Sequence, residues 1–127
     1  MSVGDELFDL LKRHYRQSFE RLDREGRVEE AAFVLLELLG EATEAAAYLE
    51  RHERYSLAAS IVEGRGLSAE WGVRLWWLAG EHERAVMLAR RHQPFAFAVA
   101  INKLQVEHRA AAEALAERWS AHLEATG

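Results

Sequence analysis

Turn-forming residues interrupt this chain at nearly constant intervals. Breaks fall at Gly26, Gly40, Glu53-Arg54, Gly64–Gly66, Gly80, Gln93-Pro94 and Gln105, so that successive gaps are close to equal throughout. Each gap holds about three helical turns plus a short connection, the kind that joins antiparallel helix neighbours. Strands do not fit: Ala and Leu are plentiful, β-branched residues are scarce, and no stretch alternates with period two. The spacing predicts helices over roughly Asp5–Arg24, Val28–Leu39, Ala42–His52, Tyr55–Glu63, Ser68–Ala79, Glu81–His92, Pro94–Leu104 and Glu107–Glu124. The expected fold class is all-α: one domain spanning residues 1–127, an α-solenoid-like stack of about eight antiparallel helices with short turns.

The ends of these segments carry matching chemistry. Gly40, Gly66 and Gly80 stand where a helix closes through a residue of positive φ. Ser68 is placed to cap, with Glu70 in the following first turn. Pro94 falls in a first turn, where a missing N–H costs nothing. Arg51-His52 and Arg90-Arg91-His92 close their helices where the dipole favours cations.

Repetition is visible at two offsets. At an offset of ~27, a small side chain recurs at Ala31, Ala58, Ala85 and Ala112, and the next position runs Ala32, Ala59, Val86, Glu113. At an offset of ~40, Leu39–Ile61 lies over Ala79–Ile101, matching Gly40 to Gly80, Glu41 to Glu81, Ala45 to Ala85, Arg51 to Arg91, His52 to His92, Ala58 to Ala98 and Ile61 to Ile101. Both offsets follow if the unit is one short helix, counted two or three at a time.

Burial can also be anticipated. In the stretch Trp71–Ala85, the residues Val73, Leu75, Trp76, Trp77 and Leu78 cannot share one helix face, and Arg74 is the only charge among them. A helix apolar all round has to be covered on both sides. The run Phe95–Ile101 has the same character. The terminal helices are instead amphipathic. The first sets Leu7, Leu11, Tyr15, Phe19 and Leu22 against Asp9, Lys12, Arg13, Arg16 and Glu20; the last sets Ala111, Leu115, Trp119, His122 and Leu123 against Glu113, Glu117 and Arg118. That is what the exposed ends of a stacked array require.

Composition narrows the function classes. A net charge of −5, with Arg and Glu interspersed, argues against a nucleic-acid surface. The absence of cysteine removes disulfides, thiolate chemistry and Cys-ligated metals. The amphipathic N-terminus has no signal-peptide pattern, and no apolar run approaches a membrane span. The expected location is the cytoplasm, with no membrane partner. Lys12 and Lys103 are the only lysines, an Arg bias that a GC-rich bacterial genome would explain as readily as a binding role.

Candidate chemistry is sparse. His52 and His92 occupy equivalent repeat positions after an Arg at a helix end, which points to a shared structural role. His82 sits between Glu81 and Glu83 but lacks a second histidine four residues on, so no metal site is expected. Glu29-Glu30, Glu41/Glu44 and Glu81/Glu83 fall in first turns, where the dipole keeps carboxylates charged rather than poised for acid–base work. Ser56, Ser60, Ser68 and Ser120 lack a nucleophile-elbow context, and the glycines of Gly64–Gly66 follow a helix rather than a strand. No catalytic residue and no cofactor are expected. A tryptophan with an exposed face beside Arg74 is a natural binding hot spot; Arg74, Trp77 and Arg84 are the expected partner-binding residues.

The segments GRVEEAAFVLLELLG (Gly26–Gly40) and GEHERAVMLARRH (Gly80–His92) resemble the second helix of tetratricopeptide-type and coat-protein-type α-solenoid repeats. The resemblance spans most of the chain but departs from the family: the hairpin period is near 27 rather than ~34, and the full Trp, Gly, Tyr, Pro signature is missing. It implies a stack used for protein recognition. The chain is also similar to helical segments that accompany β-propeller proteins in multi-component bacterial systems, which implies a place in a multi-protein assembly. The expected function is a non-enzymatic protein–protein interaction or scaffolding module, with homodimerisation through an apolar terminal helix as a close variant. The alternative expectation is a regulatory helical domain holding a small apolar ligand between helices near Trp71, Trp76 and Phe97.

Overall fold

A computed structural model describes residues 3–92 and 116–120. The helices are α1 (Val3–Arg24), α2 (Val28–Phe33), α3 (Ala42–Arg51), α4 (Tyr55–Gly64), α5 (Ala69–Leu78) and α6 (His82–Arg91). A π-helical turn, Val34–Leu38, prolongs α2. Among the described residues, seven helical segments between Val3 and Arg91 stand where about eight helices were expected along the whole chain. The expected second helix is divided by the π turn. Residues 116–120 are helical, but Pro94–Leu104 and the rest of Glu107–Glu124 lie outside the described residues. No strand occurs among the described residues.

The helix ends account for the spacing of the breaks. Positive φ occurs at Gly26, Gly40, Glu53, Gly66 and Gly80, positions that are evenly spaced along the chain to within one residue. At Gly80 (φ 83°) the N–H donates to Trp77 O, and the Glu81 N–H donates to Trp76 O. This double closure satisfies carbonyls that a helix end leaves open, and it needs a left-handed residue at its centre. Paired bonds of the same kind close α1 at Gly26, α3 at Glu53 and α4 at Gly66. At Gly40 the ring is one residue larger, with Glu41 N–H donating to Leu35 O, because the helix has widened to a π turn. Ser68 caps α5 as expected, its Oγ accepting from the Trp71 N–H at 3.4 Å.

Burial repeats on the same period. The buried sets are Ala31-Ala32 with Val34-Leu35, Ala45-Ala46 with Tyr48-Leu49, Ala58-Ala59 with Val62, Gly72-Val73 with Leu75-Trp76, and Ala85-Val86 with Leu88-Ala89. Positions i, i+1, i+3 and i+4 span about 160° of a helix, the width of a core-facing stripe. Each short helix thus sets an adjacent pair of compact residues and, three or four positions on, one or two further side chains that are usually larger; in α4 only Val62 is fully buried there. Gly72-Val73 completes the series that the recurring alanines began.

The chain divides into two compact units, residues 1–54 and 55–127. In the first, α1 packs on α2 and the π turn, and α2 packs on α3. In the second, α5 packs on both α4 and α6, which is the two-sided cover its apolar circumference demands. Close approach is set by Gly72: a Cβ there would stand 2.6 Å from Leu88 Cδ2. The first-helix stripe is only partly used. Leu22 is buried and Tyr15 and Phe19 are half-buried, but Leu7 and Leu11 are exposed. At the other end of the chain, Trp119 is buried while Glu117 and Arg118 are exposed; Ala111, Leu115, His122 and Leu123 of that stripe lie outside the described residues. No helix among the described residues is long and apolar enough to cross a membrane.

Candidate functional site

The polar groups that meet in the second unit are organised by Glu63. It is the single charged residue of α4 and lies in the last turn, where a carboxylate opposes the helix dipole. Two donors offset this. The Trp76 Nε1–H donates to Glu63 Oε2 at 2.7 Å, and Arg91 Nη2 donates to Oε1 at 3.4 Å. Trp76 is 2% exposed, so its indole N–H depends on that one carboxylate. The Arg84 guanidinium lies 4.7 Å over the Trp76 ring, an arrangement that favours a cation on the indole face. On the next position of α5, Trp77 stacks with His82 at a centroid distance of 3.8 Å and an interplanar angle of 25°. Arg118 donates to Glu83, which is otherwise well exposed.

The three expected partner-binding residues differ in exposure. Arg84 is exposed, Arg74 is half-buried and Trp77 is 6% exposed. The accessible indole face sought beside Arg74 is therefore not on Trp77, because α5 is covered on both sides. Trp71, at the start of α5, is half-buried and is the tryptophan of that helix with accessible area. Glu63 is not among the expected site residues. Its signal is nonetheless present in the sequence: one carboxylate at the wrong end of a helix with no other charge.

A cavity of about 80 Å³ opens beside this cluster, lined by Val62, Glu63, Leu67, Leu88, Arg91 and His92 among others. Ligand pockets run to ~300–1,000 Å³, so it accommodates a few waters rather than a small apolar molecule. Neither Trp71 nor Trp76 lines it, and Phe97 lies outside the described residues.

In the first unit the polar centre is Tyr48, 1% exposed, whose hydroxyl donates to Asp23 Oδ1 at 3.0 Å. Phe19 meets its ring edge-on at 5.1 Å, His52 packs at 4.6 Å, and His52 Nε2 lies 4.0 Å from Asp23 Oδ1. Burial pushes the Tyr48 hydroxyl up to about 12, with the bond to Asp23 and its charge adding to the shift and Arg51 opposing it. Arg16 holds Glu44 through two bonds of 2.6 and 3.2 Å, and that bonded carboxylate raises the guanidinium pKa further. His52 and His92 end α3 and α6 with nearly the same backbone angles, φ −95° and −111° and ψ 15° in both. Their shared position in the repeat is a shared position at a helix end. Among the described residues, no three His, Asp or Glu side chains converge as metal ligands would.

Searches against known protein families, curated proteins and solved structures found no match.

Proposed function

We propose that this chain is a non-enzymatic protein–protein interaction or scaffolding module, built as a tetratricopeptide-like α-solenoid. The observation that carries the reading is the joint periodicity of closure and burial. Five helix ends closed through positive φ and five buried stripes follow one common spacing. Such repetition yields rigid short rods whose outward faces form a pre-shaped surface, so little conformational freedom is lost on binding. The module works as a component of a multi-protein assembly in the cytoplasm.

On that surface Arg84 offers a guanidinium held in place by the Trp76 ring. An acidic or aromatic group of a protein partner suits it. The test is capture from the native source with the wild-type chain and with Arg84→Glu, followed by titration of the isolated partner. The wild type should retain a defined partner, and the variant should weaken it at least tenfold with unchanged helical content. Equal retention by both chains, or no retention by either, overturns the assignment.

A further inference from the structure

The second half of α1 carries a line of positive charge on the side away from its packed residues. At about 100° per residue, Arg13, His14, Gln17, Arg21 and Arg24 fall within an arc of about 100°, and all five are exposed. Tyr15, Phe19 and Leu22, the residues of this half that are at least partly covered against the first unit, lie on the other side. Arg13, Gln17, Arg21 and Arg24 set one long polar side chain on each successive turn, over ~16 Å at about 1.5 Å per residue. A shallow groove of about 250 Å³ is lined by His14, Gln17, Ser18, Arg21 and Arg24.

These guanidiniums are uncompensated. Arg16, Arg27, Arg91 and Arg118 are each bonded to a carboxylate. Arg13, Arg21 and Arg24 make no ion pair or hydrogen bond among the described residues. Yet acidic side chains outnumber Lys and Arg in this chain by 21 to 16. Glu20, on the border of the line, is one of the carboxylates whose charge acts on Arg16. Guanidinium forks bind carboxylates in pairs of parallel bonds, and a row of them one turn apart matches carboxylates that recur at the same rise. A duplex nucleic acid fits less well, because its dense phosphates would also face a chain of net charge −5. We propose that Arg13, Gln17, Arg21 and Arg24 form a docking stripe for an acidic helical segment of a protein partner, with a carboxylate on each of its turns.

The stripe extends the interaction-module reading to the first unit and uses none of the residues around Arg84, so either can fail alone. The probe is a labelled alanine- and glutamine-based peptide of about 20 residues, long enough to hold a helix, with one glutamate per turn along one face. The control has the same composition with its glutamates spread around the helix. By fluorescence anisotropy the full chain should bind the first peptide about tenfold more tightly than the control. Exposed pairs are individually weak and screened by salt, so binding should fall about tenfold between 0.05 and 0.5 M salt. Arg21→Gln combined with Arg24→Gln should weaken it about tenfold with unchanged helicity, since both side chains stand in solvent. Arg84→Glu should leave it unchanged. Equal affinity for the two peptides, no binding of either, or a double variant that binds like the wild type would each overturn the stripe. So would tighter binding to duplex RNA or to phosphatidylserine vesicles than to the one-faced peptide.

Discussion

Tyr48 shows how a single side chain links the two sides of a helix pair. Its ring is enclosed by Phe19 and His52, and its hydroxyl is spent on Asp23, so the phenolate is disfavoured where it sits. In the unfolded chain the group ionises near 10; in the folded chain it does so at about 12. The folded state therefore holds the proton more tightly. The stabilising contribution is complete below pH 10 and is lost as pH rises through 12. Tyr48→Phe should remove the phenolate absorbance step near pH 12 and flatten the urea-midpoint profile between pH 10 and 12. At neutral pH it should cost about 1 kcal/mol for the lost hydrogen bond. A profile as steep as that of the wild type would refute this account. Residue identity alone did not indicate that role, because Asp23 lies 25 positions away and only the folded helices bring the two together.

At the level of the element, five of the described helix ends close through positive φ, four at glycine and one at Glu53 with φ 58°. A side chain in the left-handed region costs about 1–2 kcal/mol that glycine does not pay, and glycine returns part of that as unfolded-chain entropy. Glu53→Gly should accordingly be stabilising, by about 0.5 kcal/mol, and Gly80→Ala destabilising, by about 1 kcal/mol. Thermal unfolding followed by circular dichroism separates the two, since the midpoint should move in opposite directions. Movement in the same direction would mean that these residues do not close the helices as described. The breaks at Gly26, Gly40, Gly66 and Gly80 were legible because positive φ is a local demand that glycine meets most cheaply. The π turn was not, because VLLEL contains no residue that distinguishes a wider turn from an ordinary one.

For the whole molecule, each described helix packs on the element next to it in sequence within its unit. Contacts of that kind close short loops, and chains dominated by them fold in microseconds to milliseconds. Refolding from urea by stopped-flow fluorescence should be complete within about 10 ms; a dominant phase of seconds would point to long-range pairing that the neighbour-on-neighbour packing does not contain.

Some of this was settled before any helix met another. Where each helix stops, how long it is, and which small residues recur were determined by the sequence, since backbone preference and periodic patterning act within a few residues. Tertiary structure decided which apolar surface is actually covered. It buried Trp77 while leaving Trp71 partly accessible, gave Glu63 the indole N–H of Trp76, and left Leu7 and Leu11 exposed where α1 outruns its neighbours. Those outcomes depend on the relative lengths and close approach of separate helices, and no local preference encodes them.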